Sequence, residues 1–359
     1  MGSKRVTLAD VARAAGVSVS AASLVLTGRG RELRISEAVH TRVQEAAQEL
    51  GYRPNAVSVG LRKGTTRTLG FVSDSVASSR LAGDMIKGAI EAARDEGFML
   101  FIGETGGKPA DEARLVEAML DRQVDGIILA SMFTRSRPLP EDINHTPAVL
   151  LNLVAPADTK IPSVLPDEER AGREAAELLL SAGHREIHLV GAGPGPDDWP
   201  PVSVAAHQRL TGILSALHDA GVEPASGHED SAWLPQQGFD VVHRLIARDA
   251  GPPRAIVCFN DRLAFGAYQA VQEAGLTIPG DVSVVSFDDA SVAGWLRPGL
   301  TTFALPHRAL GRRAVELLLE QVRPGEGGAP GTPDALVHRL PMPLRSRGSV
   351  AAPRHAGSS

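Results

Sequence analysis

The chain has a single cysteine, Cys258, in 359 residues. No internal disulfide can therefore brace the fold. No run of about 18 uncharged apolar residues occurs, so no segment reads as a membrane-spanning helix. The opening Met1-Gly2-Ser3-Lys4-Arg5 lacks the apolar stretch of a secretory signal, and the expected compartment is the cytosol. Catalytic and metal signatures are missing too. No Gly-x-Ser-x-Gly elbow is present, and no paired Cys/His set supports zinc. His184 and His188 are four apart, but Glu186-Ile-His-Leu-Val reads as a strand, where that spacing does not make one face. Gly191-Ala-Gly-Pro-Gly-Pro follows a strand yet fails the dinucleotide-loop spacing, and its prolines disfavour an immediate helix start. These absences argue against an enzyme, a cofactor or a bound metal.

What is present is a globular composition: 43% apolar and 22% charged residues. The length suggests two to three domains. Charge is unevenly spread. Residues 1–68 carry 11 Lys/Arg against 5 Asp/Glu, whereas the remainder carries 26 against 37. A small basic end on an acidic body suits contact with a polyanion, because neutralised phosphates release counterions.

The basic end reads as helices. Thr7 to Ala15 places Leu8, Val11, Ala12 and Ala15 on one face, with Thr7 as cap and Asp10 near the positive end. Gly16 permits a tight turn, and Ser18 caps a second helix to Leu26. Two short helices joined through a Gly-containing turn form a helix-turn-helix pattern. Val19, Ser20, Ala21 and Ser23 are small and uncharged, which lets the second helix approach a groove closely. A basic loop follows with Arg29, Arg31 and Arg34. Ser36 is expected to cap a third helix to Leu50, with Val39, Val43, Ala46, Ala47 and Leu50 buried.

From Leu69 onward, apolar runs alternate with amphipathic segments. The expected strands are Leu69–Ser73, Phe98–Gly103, Gly126–Ala130, Ala148–Leu153, Ile187–Val190, Ala255–Phe259 and Val282–Phe287. Helical patterns lie between them at Leu81–Glu96, Ala110–Arg122, Glu168–Ser181, Val204–Ala220, Gln236–Arg248 and Asp261–Ala274. This rhythm predicts parallel sheets covered on both faces. Ligands in such sheets sit beyond the strand carboxyl ends. Asp74, Asn152, Asn260 and Asp288 stand at such ends. Each alone could cap a helix, and Asp261 is expected to cap the helix that follows it.

Val6-Thr-Leu-Ala-Asp-Val-Ala-Arg-Ala-Ala-Gly-Val-Ser-Val-Ser, then Ser36 through Gly51-Tyr52-Arg53-Pro54-Asn55, resembles the headpiece of LacI/GalR-type bacterial transcription regulators. The resemblance continues through Leu129 to Leu153, Arg209-Leu-Thr-Gly-Ile, Phe259-Asn-Asp and Ile278-Pro-Gly-Asp-Val-Ser-Val-Val-Ser-Phe-Asp-Asp. It implies an all-α helix-turn-helix headpiece (1–53), a hinge (54–68) and an α/β two-lobed periplasmic-binding-protein-like domain with parallel sheets (69–345). Lobe one would comprise about 69–165 and 292–324, and lobe two about 166–291 and 334–345. A disordered tail, 346–359, would follow.

The resemblance also implies the partners and sites: double-stranded operator DNA, a small-molecule effector of sugar type, and a homodimer. DNA contacts would come from Thr7, Ser18, Val19, Ser20, Ala21, Leu24 and Arg29, and from Asn55, Ser58 and Leu61 of the hinge. Leu61 matches the wedge that kinks the duplex. Leu24 departs from the Arg common at its position, and a leucine cannot make the bidentate bonds Arg makes to guanine. Effector contacts would come from Asn152, Arg209, Trp233, Asn260 and Asp288. Trp233 reads equally well as core packing. Asp74 and Arg80 sit in a first-lobe segment that departs from the family's usual sequence, and Arg80 could reach a charged ligand. Repression relieved by a sugar and repression needing a co-repressor both fit.

Overall fold

The computed structural model describes residues 6–28, 35–52, 65–79, 82–154, 159–229, 232–248, 251–323 and 336–353. Two compact units emerge: residues 1–68 with 119–125, and residues 69–118 with 126–359.

The amino-terminal unit contains α1 (Leu8–Ala15), α2 (Val19–Leu26) and α3 (Glu37–Glu49). The Thr7 hydroxyl accepts from the Asp10 amide, and the Asp10 carboxylate accepts from the Thr7 amide at 3.0 Å. This reciprocal box satisfies two helix-end donors. Hydrogen bonds from the Thr7 hydroxyl and amide hold Asp10 below the usual carboxylate range. Gly16, at φ 65°, ends α1 in a left-handed turn that costs glycine little. Ser18 caps α2 by accepting from the Ala21 amide at 3.1 Å. Ser36 precedes α3 without a capping side-chain bond, contrary to expectation. Val11, Ala12, Ala15, Ala22, Val25, Val43, Ala46 and Ala47 form the core. Leu50, expected in it, is exposed.

The larger unit holds two six-stranded sheets. The first sheet contains β1 (Thr68–Ser73), β2 (Met99–Glu104), β3 (Gly126–Ser136), β4 (Ala148–Val154) and β5 (Ser163–Pro166). Helices α4 (Gly83–Asp95) and α5 (Pro109–Asp121) fall between its strands in sequence. The chain then passes to the second lobe through α6 (Glu168–Ser181), β6 (Ile187–Gly191), α7 (Val204–Asp219), β7 (Ser226–Glu229) and α8 (Pro235–Ile246). Next come β8 (Ala255–Cys258), α9 (Asp261–Glu273), β9 (Ser283–Asp288), α10 (Ser291–Trp295) and β10 (Thr301–Ala304). It returns as α11 (His307–Val322), which packs on α4 of the first lobe. β11 (Val337–Leu340) and β12 (Leu344–Arg345) follow. The strand orders are β11-β5-β4-β3-β1-β2 and β12-β10-β9-β8-β6-β7. The pairings β1–β3, β3–β4, β4–β5 and β5–β11 are parallel, as are β7–β6, β6–β8, β8–β9 and β9–β10. β12 adds an antiparallel edge.

The expected lobe boundaries and the expected tail are corrected. The resemblance implies lobe one for residues 292–304 and lobe two for the whole of 334–345, of which only β12 joins the second sheet. Instead Ala293, Leu296, Leu300 and Phe303 bury themselves in the second-lobe core, and β10 lies beside β9. β11 extends the first sheet beside β5. Sequential elements tend to stay neighbours, so the short α10 keeps β10 next to β9. The chain crosses back at α11, and changes lobe again between β11 and β12. The second correction concerns the tail. Residues 346–353 form a strap on the second lobe, where fully buried Ser349 accepts from the Thr301 amide at 2.8 Å and donates to the Val284 carbonyl at 2.6 Å. Beside it, His184 Nε2 lies 2.9 Å from the Ala351 carbonyl and 3.0 Å from Ser283 Oγ. The strap saturates backbone groups that the strand ends would otherwise leave buried and unpaired.

Candidate effector cleft and DNA-reading face

On the amino-terminal unit, Val19 is 49% exposed, and Ser20 beside it is also exposed. Ala22 and Val25 turn inward, so one face of α2 is free while the other packs. Ala21 and Leu24 are half-buried at the margin. Thr7 and Ser18 are exposed and hold helix caps. Arg29, Asn55, Ser58, Leu61 and Arg80 lie outside the described residues, as do the rest of residues 53–64 and residues 324–335.

In the larger unit, a cleft of about 550 Å³ is lined from both lobes. Asn152, Arg209, Trp233, Asn260 and Asp288 all line it, together with Thr134, Glu168 and Arg262, which the sequence reading did not single out. The strand-end rule accounts for the placement: Asn152 stands late in β4, Asp288 ends β9, and Asn260 follows β8.

Arg209 and Glu168 form the floor. They meet because α6 and α7 approach unusually closely. A Cβ on Gly172 would sit 2.2 Å from the Arg209 carbonyl oxygen, and one on Gly212 would sit 1.9 Å from that of Glu169. Arg209 Nε donates to Glu168 at 2.6 Å and Nη2 donates to its other oxygen at 3.1 Å. Arg209 Nη1 also donates to the Phe259 carbonyl. Both side chains are almost fully buried. The guanidinium stands 4.6 Å from the Phe287 ring centroid and 5.9 Å from that of Trp233. Asp288 lies 3.7 Å from Arg209. Burial pushes the Asp288 carboxyl upward against the pull of Arg209, and the Asp261 and Glu168 charges add to the rise.

The residue that caps α9 is Asn260, not Asp261. Asn260 Oδ1 accepts from the Leu263 amide at 2.8 Å, and its amide donates to the Trp233 carbonyl at 3.3 Å. Asp261 is fully buried. It accepts from Ser286, from Thr302 at 2.8 Å and from the Ala290 amide at 2.6 Å. It thereby ties α9 to β9 and β10, and burial raises its carboxyl as well. Trp233 is both packed and cleft-lining: its indole N–H donates to the Gly191 carbonyl at 2.9 Å while its ring joins the core beside Phe259.

Asp74 does not line the cleft. Its carboxylate accepts from Ser131 at 2.6 Å, from the Met132 amide at 3.1 Å and from Arg135. Those partners use up the acceptor that a ligand would need.

The backbone is unusual here. Asn152, Trp233, Asp288 and Asp289 all have positive φ, between 48° and 114°. Such conformations cost of order 1–3 kcal/mol each and collect at ligand clamps. Among the described residues, no group of His, Cys, Asp and Glu is placed to hold a metal.

A helix-turn-helix unit with a free helix face, followed by two parallel-sheet lobes around a polar cleft, defines a DNA-binding regulator with an effector-binding body. Comparisons agree. Residues 7–55 match the profile of bacterial regulatory proteins of the lacI family, and residues 176–350 match a periplasmic binding protein-like domain. The ribose operon repressor of Escherichia coli (strain K12) is 30% identical over 319 residues, spanning 88% of this chain and 93% of the repressor. The transcriptional repressor PurR of Vibrio vulnificus (strain CMCP6) is 28% identical over 89% of this chain and 93% of its own length. A Lac repressor dimer bound to operator and the anti-inducer ONPF superposes with a TM-score of 0.78 at 27% identity, covering 97% of this chain and all of that one. The chain belongs to the LacI family of bacterial regulatory proteins. It is a DNA-binding transcription regulator under small-molecule control, and its relatives are repressors rather than enzymes.

Proposed function

We propose that this protein is a cytoplasmic repressor whose operator affinity is set by a sugar or sugar derivative held between the two lobes. The observation that carries this reading is the cleft. Polar side chains from both lobes line it, and the backbone is strained at four of its lining residues. Carboxylates and amides can exchange hydrogen bonds with hydroxyls, while Trp233 offers an apolar ring to a sugar's C–H surface. Thr7, Ser18, Val19, Ser20, Ala21 and Leu24 would meet the operator, with Arg29, Asn55, Ser58 and Leu61 completing the contact. Small residues on the free face of α2 suit close approach to a major groove. Arg209 holds Glu168 and stands beside Asp288, and three of its five N–H donors are already engaged within the protein.

Two copies act together on a pseudo-palindromic site. The edge strand β2 supports pairing. Met99, Phe101 and Ile102 are exposed on it, at 64%, 38% and 41%, and a second copy would cover them.

The test is to bind purified protein to a genomic DNA pool at physiological salt and sequence the retained fragments. Enrichment of a short palindrome is expected. No enrichment over random fragments, with or without added sugars, would overturn the assignment.

A further inference from the structure

Three residues that line the cleft each carry a buried polar atom left unsatisfied among the described residues. Thr134 Oγ1, Asn152 Oδ1 and Arg262 Nε are all buried without a hydrogen-bond partner among the described residues. Thr134 and Asn152, 1% and 2% exposed, belong to β3 and β4 of the first lobe. Arg262 belongs to the first turn of α9 in the second. All three residues line the same cleft. Seven other buried side-chain atoms are also unpaired among the described residues, but none of their residues lines the cleft, whereas these three converge on it from both lobes, where a ligand can supply the partner.

Charge narrows the ligand's chemistry. Four guanidinium groups line the cleft. Arg209 is neutralised by Glu168, Arg308 pairs with Glu91 at 2.7 Å, and Arg345 lies 3.4 Å from Asp289. Arg262 alone among them has no carboxylate within ion-pair distance among the described residues. Its place in the first turn of α9 adds the partial positive charge of a helix amino terminus. Two carboxylates bear on the balance. Asp84 lines the cleft but is exposed, where water screens it. Asp288 lies close enough to interact with Arg262, but burial favours its neutral form.

We infer that Arg262, with Thr134 and Asn152 on the facing lobe, forms a subsite for an acidic polyol, and that the effector carries a carboxylate or phosphate group. The anionic group pairs with the guanidinium, whose planar fork matches either anion. Hydroxyls of the same ligand donate to Asn152 Oδ1 and exchange hydrogen bonds with Thr134. This inference rests on the cleft being the effector site. It would make Arg262 the residue that selects acidic ligands over neutral sugars, because a site built to pair a charge rejects the analogue that lacks it.

The experiment is calorimetric titration and thermal shift of the full chain with matched triads: gluconate, glucose 6-phosphate and glucose, then the same triads on the galactose, mannose and ribose skeletons. One anionic arm is expected to stabilise the wild type more than its uncharged parent, and the arm that does so separates a carboxylate from a phosphate ligand. Arg262→Gln should weaken that binding by about tenfold or more, and Arg262→Lys should restore part of it. Stabilisation by uncharged members alone, by no anionic member, or undiminished anionic affinity in Arg262→Gln overturns the inference. Asp288→Ala separates the two readings. Binding lost in Asp288→Ala but intact in Arg262→Gln overturns the acidic-ligand inference alone, whereas binding intact in both removes the cleft as the site.

Discussion

The two lobes share a parallel-sheet plan but contribute differently to the cleft. Apart from Arg262, the second lobe supplies ions that are already satisfied. Arg209 is locked to Glu168 and to the Phe259 carbonyl, Asp289 is held by Arg347 at 2.6 Å, and Asp261 gathers three donors. The first lobe supplies neutral groups that are not satisfied, Thr134 and Asn152. Its own strand-end carboxylate, Asp74, is turned to Arg135 and Ser131. On the proposed reading the second lobe, Arg262 apart, is a preorganised platform, and the first is a latch whose hydrogen bonds a ligand would complete. A ligand that bridges them binds the closed arrangement better than the open one, and that difference is what an allosteric effector requires.

The largest expected effect breaks the platform. Glu168→Ala leaves Arg209 buried with only the more distant Asp288 to balance it and should cost about 3–5 kcal/mol in urea or thermal unfolding. A loss under 1 kcal/mol would show that the ion pair is not holding the second lobe. Next, Ser349→Ala strips the strap of one acceptor and one donor and should cost about 1–3 kcal/mol. Thr134→Val sits at the other extreme. It removes a hydroxyl with no partner among the described residues and should change stability by no more than about 0.5 kcal/mol, while weakening effector binding. A large stability loss there would place Thr134 in the folding core rather than in the latch.

The pH dependence sharpens the same contrast. A carboxyl raised in the folded state contributes stability that is fully present below its unfolded value and is lost as pH rises through the folded value. For Asp288 that loss begins above about pH 4. Asp288→Asn cannot ionise, so its melting temperature relative to wild type should climb from pH 5 to pH 8. A constant difference across that range would mean that the burial cost is met elsewhere.

Much of this was legible in the sequence, because apolar runs and helical stripes are local. Glu168–Ser181 is the helix expected from its pattern, and the others differ by a residue or two. Short strands escaped. β7, Ser226-Gly-His-Glu, has no apolar run to mark it. The lobe crossings escaped as well, since sheet membership of β10 and β11 depends on distant edges. At the site, five of the seven expected effector residues line the cleft because strand ends converge there. Glu168 was read only as a helix start, since its partner Arg209 is 41 residues away. Asp74 looked equivalent to Asp288, but Arg135, 61 residues on, claims it. Asn260 and Asp261 are adjacent, and only the backbone decides which one caps α9.

The central claim is that ligand in the cleft changes operator affinity. The direct measurement is fluorescence-anisotropy titration of the selected operator with wild type and Asp288→Ala, each with and without the stabilising ligand. The account predicts a shift of about 5- to 150-fold in the wild type and none in the variant. An equal shift in both proteins, or none in the wild type, would contradict it.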